Sequence, residues 1–179
     1  MGSEDQSFAL TLDCKSLGLK KKVFTRLRFY WHDTLSGSNP TSVTVFKYPQ
    51  NSTEAYAFGF ENIFDNPITQ GPEPSSKLLG RSQGFYFAAS KGPMSLFSAM
   101  NVVFTEGKYN GSTITILGRN PITSGTIREL PVIGGNGVLR FAIGYAQIST
   151  YWFDNATKDA IVEYNVYVKH YGHKALDDV

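Results

Sequence analysis

From Val23 onward, apolar and polar positions alternate with period two in short runs cut by turn residues, the signature of half-buried strands. The runs predict strands at Arg26–Thr34, Ser42–Phe46, Ala55–Phe64, Leu79–Ala88, Leu96–Glu106, Ser112–Leu117, Ile127–Ile133, Val138–Thr150 and Ala160–His170. Asp65 to Ser76 (DNPITQGPEPSS) holds three of the eight prolines and is expected to be irregular. Gly134-Gly135-Asn136-Gly137 lies between two strands and precedes no helix, so it reads as a hairpin turn and not a phosphate cradle. Eight or nine antiparallel strands without an amphipathic helix predict an all-β fold. Closure into an eight-stranded antiparallel β-barrel is the economical way to remove strand edges, with a sandwich as the alternative. A barrel of that size has room for side chains or one small ligand. Residues 1–22 lack a sustained period and read as an N-terminal arm, residues 23–171 as the barrel domain, and residues 172–179 as a C-terminal tail.

Composition narrows the function more than the fold. A length of 179 residues suits one domain, and 41% apolar with 18% charged residues excludes a disordered chain. The net charge of +2 is too mild for a nucleic-acid partner. Lys20, Lys21 and Lys22, joined by Arg26 and Arg28, read as the solvated start of a strand. No run reaches the ~18 apolar residues of a membrane-spanning helix. Cys14 stands alone, which excludes an intrachain disulfide and a cysteine-rich zinc site. His32, His170 and His173 are too scattered for a metal centre, the last two reading as part of a polar tail. No nucleophile elbow, P-loop or H-E-x-x-H motif is present. Sequons at Asn51, Asn110 and Asn155 predict a glycosylated, secreted surface, and Met1-Gly2-Ser3 reads as a start placed on a mature N-terminus whose leader has been removed.

A few ionisable groups inside apolar strands carry the remaining chemistry. Period two puts Phe29, Trp31 and Asp33 on one strand face. A carboxyl sharing a face with two aromatics has its pKa raised by desolvation and suits a general acid; at a strand end it can equally cap the following loop. Arg128, among Thr126, Ile127, Leu130 and Val132, points either into a lumen or to water, and taken alone the segment favours water. Tyr86 shares a face with Gly84 and Ala88, which leaves space beside its hydroxyl. Phe85 and Phe87 face the other way, predicting a covered outer surface between subunits.

These segments resemble the plant dirigent proteins. The resemblance is carried by Phe29-Tyr30-Trp31-His32-Asp33, Phe64-Asp65-Asn66-Pro67-Ile68-Thr69, Gly80-Arg81-Ser82-Gln83-Gly84-Phe85-Tyr86, Gly107 to Ile114 (GKYNGSTI) and Pro131-Val132-Ile133-Gly134-Gly135, in family order. It implies an eight-stranded barrel, a homotrimer, glycosylation and secretion to the plant cell wall. Family members steer phenylpropanoid chemistry. Some orient phenoxy radicals made by a separate laccase or peroxidase; others, the pterocarpan synthases, expel water from an isoflavanol and close an ether ring. Both routes pass through, or can pass through, a quinone methide.

The resemblance makes Asp33, Tyr86 and Arg128 candidate catalytic residues, with Asn120, Trp31, Phe29 and Ala88 against the substrate. The lignan-forming members carry an aspartate in a Gly-Ala-Asp-Pro string where this chain has Gly118-Arg119-Asn120-Pro121. They also have a second tyrosine where this chain has Ala88, and a cysteine near each end where it has only Cys14. The spacing from Pro121 to Arg128 is one residue longer than in those members. These departures point toward the branch of pterocarpan synthases and gossypol-directing proteins. The expectation is a cofactor-free, metal-free hydro-lyase acting on a small aromatic phenol. The alternatives are a scaffold for radical coupling that needs an oxidase partner, and a carrier that releases its aromatic ligand unchanged.

Overall fold

The computed structural model describes residues 9–48 and 58–173. Its strands are β1 (Leu19–Asp33), β2 (Ser42–Phe46), β3 (Glu61–Thr69), β4 (Leu78–Ala88), β5 (Leu96–Phe104), β6 (Thr113–Asn120), β7 (Arg128–Gly135), β8 (Ile143–Phe153) and β9 (Ala160–His173). Each pairs antiparallel with its neighbours in the order β1-β9-β8-β7-β6-β5-β4-β3, and β3 returns to β1 through Tyr30 opposite Thr69 and Trp31 opposite Ile68. Eight strands therefore form a closed, all-β barrel, and β2 is a ninth strand laid against β3 beside the seam. Closure removes the exposed edges that an open sheet of this length would present. His32 stitches the seam from outside the lumen. Its Nε2 lies 2.6 Å from the Thr69 hydroxyl, which itself donates to the Gly71 carbonyl, so His32 supplies the proton of the shared bond.

Alternation along each strand builds the interior. Leu27, Phe29, Trp31 and Asp33 of β1 face inward, as do Val162, Tyr164, Val166 and Val168 of β9. Two inner-row glycines let the sheet curve. A Cβ on Gly84 would collide with the Ala99 carbonyl oxygen, and one on Gly144 with that of Tyr167. The space beside Tyr86 that Gly84 seemed to offer is thus filled by the neighbouring strand's backbone.

The structure moves several sequence-based boundaries. The basic run belongs to β1, which starts at Leu19 inside the stretch read as an arm; Lys20, Lys21 and Lys22 are exposed at the start of a strand that pairs with β9 on one side and meets β3 on the other only at Tyr30 and Trp31. β9 continues to His173, and His170 is a buried strand residue bonded to the Thr25 hydroxyl at 2.9 Å rather than part of a polar tail. The strand expected at Ala55–Phe64 begins at Glu61, its first three residues lying outside those described, and it runs on through Pro67 into the segment read as irregular. The Asp65 N–H points sideways to the Thr41 carbonyl, so position 67 faces the same side. There the pairing with β2 has ended at Phe64 and that with β1 starts only at Ile68, so the missing proline N–H breaks no ladder bond. The long strand predicted from Val138 begins only at Ile143. Before it, Gly137–Leu139 forms one turn of 3-10 helix that drives Leu139 into the barrel, fully buried.

Candidate functional site

The two ends of the barrel differ. At one end, the 3-10 turns Gly107–Tyr109 and Gly137–Leu139 close the lumen over Phe104, Leu139 and Ala142. At the other, β1 and β6 end, β7 and β9 begin, and the connections after β4, β6 and β8 surround a cavity of about 940 Å³. That volume lies in the range of small-molecule sites. Trp31, Asp33, Tyr86, Asn120 and Arg128 all line it. They come from four strands, and each stands near the strand end that reaches the mouth.

Asp33 is the chemical centre. Burial pushes its carboxyl up to about 6, even though hydrogen bonds from Asn66, Tyr86 and Ser42 favour the ionised form and pull the other way. Asn66 Nδ2 donates to Oδ1 at 3.0 Å and the Tyr86 hydroxyl donates to Oδ2 at 2.9 Å. Both donors are themselves held. Asn62 Nδ2 donates to the Tyr86 hydroxyl at 2.7 Å, which directs the tyrosine proton toward Asp33, and the Thr41 hydroxyl donates to Asn66 Oδ1 at 2.5 Å. Asp33 therefore binds inward rather than capping the loop after β1. That loop is held instead by Asp159, which accepts from the Leu35 and Ser36 N–H groups.

Arg128 is 6% exposed and lines the same cavity, not the solvent. It shares its strand face with Leu130 and Val132, both buried, so the alternation itself carried the signal. Its guanidinium donates to the Thr150 hydroxyl at 2.9 Å, and no carboxylate among the described residues pairs with it. Burial lowers its pKa, and the nearby Tyr164 opposes that shift. Tyr164, which sequence reasoning missed, lines the cavity and stacks on Phe29 at 5.1 Å. Burial holds its hydroxyl well above the usual tyrosine range, partly offset by Arg128. Its signal was a polar tip between the apolar Val162 and Val166 in the inner row of β9. Asn62, Asn66 and Thr41 were also missed, because their role depends on pairings between distant strands.

Two residues of the cavity wall carry a buried polar atom with no hydrogen-bond partner among the described residues: the Trp31 indole Nε1, a donor, and Asn120 Oδ1, an acceptor. Buried groups of this kind are rare unless something else satisfies them, and here both residues line a cavity. Phe29 lies deeper, packed edge-on against Phe104 at 6.4 Å, and does not line the cavity. Ala88 is buried on the face of Tyr86 but is also absent from the lining. Among the described residues, no cluster of His, Cys, Asp or Glu is arranged to hold a metal ion, and no helix is long and apolar enough to cross a membrane.

Fold and site together define a closed antiparallel barrel with an aromatic cavity, open at one end and carrying a buried carboxyl, an arginine and a tyrosine. The chain belongs to the dirigent family: the family model for dirigent-like proteins matches residues 24–169. It is 47% identical over 166 residues to dirigent protein 7 of Arabidopsis thaliana, covering 93% of this chain and 87% of that protein. It is 44% identical over 155 residues to pterocarpan synthase 1 of Glycine max, covering 87% of this chain and 83% of that protein. A solved pterocarpan synthase dirigent protein superposes with a TM-score of 0.84 at 41% identity, covering 91% of this chain and 99% of the other. A second gives a TM-score of 0.79 at 46% identity, covering 83% and 96%. The relatives thus include both dirigent proteins and pterocarpan synthases at similar distance.

Proposed function

We propose that this protein is a pterocarpan-forming hydro-lyase that closes the ether ring of a 2'-hydroxyisoflavanol through a quinone methide. The observation that carries this reading is Asp33, a buried carboxyl raised to about 6 at the wall of an aromatic cavity. With that pKa, protonated and ionised forms are both available near neutrality. Protonated Asp33 gives its proton to the departing benzylic hydroxyl, which leaves as water while the conjugated ring phenolate, held by Arg128, becomes the quinone-methide carbonyl; attack on the quinone methide restores that phenolate. The carboxylate left behind takes the proton of the 2'-phenol as its oxygen attacks the quinone methide, and the enzyme returns to its starting form. One water is lost and one C–O bond is made.

Tyr86 is engaged with Asp33 and Asn62, so it sets the carboxyl rather than receiving the developing charge. Arg128 is the group for that charge: a buried cation tied only to a neutral hydroxyl can donate to the quinone-methide oxygen. Trp31 and Asn120 line the cavity, and the shape they give its wall fixes the face under attack. None of these steps calls for a metal or an organic cofactor.

The assembly we propose is a homotrimer of secreted, glycosylated chains in the apoplast. Its interface would use the outer aromatic column of Phe85, Phe87 and Phe97, whose rings stack at 5.9 and 5.2 Å. Asn110 and Asn155 stand exposed in turns, while Asn51 lies outside the described residues. The test is incubation of the protein alone with racemic 2'-hydroxyisoflavanols, followed by chiral chromatography. Faster formation of one pterocarpan enantiomer without an oxidase is the expected result. No conversion, but biased coupling products once a laccase and coniferyl alcohol are supplied, would replace the lyase with a radical-coupling scaffold.

A further inference from the structure

The cavity mouth holds ionisable groups that this reaction does not use. Besides Arg128 and Asp33, the charged side chains of the lining are Lys91, in the connection between β4 and β5, and Lys158, in the connection between β8 and β9. Three cations therefore face one carboxyl, and that carboxyl is itself inclined to be neutral. The whole chain carries a net charge of only +2, so positive charge is concentrated here well beyond the average. Both lysines are anchored at the rim. Lys91 Nζ sits 5.4 Å from the centre of the Phe58 ring and Lys158 Nζ 5.8 Å from that of Phe153, and both phenylalanines line the same cavity.

Lys158 also occupies a backbone conformation that lysine does not favour. Its φ is +67°, in the left-handed region where glycine and asparagine are at ease, and its N–H is held there by the Asp154 carbonyl at 2.8 Å. The turn would form with less strain around a smaller residue. What lysine adds is an ammonium at the mouth, fixed by its bond to the Asn155 carbonyl. Deeper in, Arg128 lines the same space without an anionic partner among the described residues.

We infer that, among phenols that fit the cavity, an acidic substituent at the mouth, a carboxylate or sulfate, adds affinity through Lys91 and Lys158 while the phenolic ring lies inside toward Arg128; the neutral isoflavanol proposed above binds without that increment. The inference rests on the cavity being an aromatic-phenol site, as proposed above, and adds the class of ligand it prefers. Each rim pair is solvent-facing, so its contribution is modest and screened by salt.

The test is calorimetric titration of ferulate and of its methyl ester, which share the phenol ring and differ in the charge at the far end. The titrations use the wild-type protein and a Lys91→Ser/Lys158→Asn double variant, with melting curves for both. At about 20 mM salt, ferulate binds the wild type about fivefold more tightly than the ester, and the gap closes to under about twofold at about 300 mM salt. In the double variant the two ligands bind alike at low salt. Equal binding of both ligands to the wild type at low salt would overturn the inference. So would a ferulate advantage that survives in the double variant, because Arg128 would then be the holder. Failure of both ligands to bind the wild type would overturn the phenolic reading of the cavity, and this inference with it. Should the double variant melt early, the single variants Lys91→Ser and Lys158→Asn are titrated in its place, and a ferulate advantage undiminished in both at low salt overturns the inference.

Discussion

The closed and open ends of the barrel are made by the same strands and the same alternation, yet their buried polar groups are used in opposite ways. At the closed end these groups hold loops and strands. Ser112 Oγ accepts from the Val138 N–H at 3.0 Å and His170 Nε2 is bonded to the Thr25 hydroxyl at 2.9 Å, while Leu139 fills the lumen. At the open end they surround a cavity: Asp33 with a raised pKa, Arg128 without a counterion, and Trp31 and Asn120 each with a buried atom unpartnered among the described residues. One end is built for stability. The other keeps costly groups in place because an apolar floor and a closed wall hold them there.

The largest effect that tests this contrast is on the reaction. Asp33→Asn removes both the acid and the base form, and isoflavanol dehydration slows by about 10²- to 10⁴-fold in single-turnover assays. Loss of less than tenfold would move the chemistry away from this carboxyl. At the closed end, Leu139→Ala leaves a cavity under the 3-10 turn and costs about 2–5 kcal/mol in urea unfolding, with the rate per folded molecule unchanged. A matching drop in that rate would show that the two ends are not separable.

The third prediction concerns pH. Asp33 has a folded-state value of about 6 against an ordinary 3.8, so it binds its proton more tightly folded than unfolded. Its contribution to stability is complete below the ordinary value and is lost as pH rises through about 6. Asp33→Asn has no such slope. Its stability relative to wild type therefore rises by up to about 3 kcal/mol between pH 4 and pH 7.5, as read from urea melts at both pH values. A difference that stays flat, or that shrinks toward neutral pH, would contradict the burial of a titrating carboxyl.

The smallest effect is the finest probe. Tyr86→Phe removes a hydrogen bond that lowers the Asp33 pKa, so the pH above which the proton-donating form is lost moves upward. The rate falls by about tenfold, while the pH–rate profile shifts toward alkaline values. A profile that keeps its position would place Tyr86 elsewhere in the mechanism.

Much of the fold was legible because strand alternation is local. Ser42–Phe46 is reproduced without change, and Leu78–Ala88 differs by one residue at its start. The misses lie where local signals conflict with distant pairing. Pro67 reads as a breaker until the strands on either side of β3 are known, and Val138 to Ala142 reads as strand until the lumen demands Leu139. In the site, the face shared by Trp31 and Asp33 followed from period two. The face of Arg128 was available from Leu130 and Val132 but was outweighed by the usual preference of arginine for water.

The sequence by itself determined the class of fold, the family and the residues with chemical potential, since these depend on composition, alternation and strings of neighbours. Only the tertiary structure decided which of those residues meet. Phe29 and Ala88 are buried yet stand apart from the cavity, whereas Asn62, Asn66, Tyr164, Lys91 and Lys158 enter through strand ends and loops distant in the chain. It also decided what they are: a carboxyl has a pKa near 6 only when closure has removed its water, and closure is a property of the whole ring.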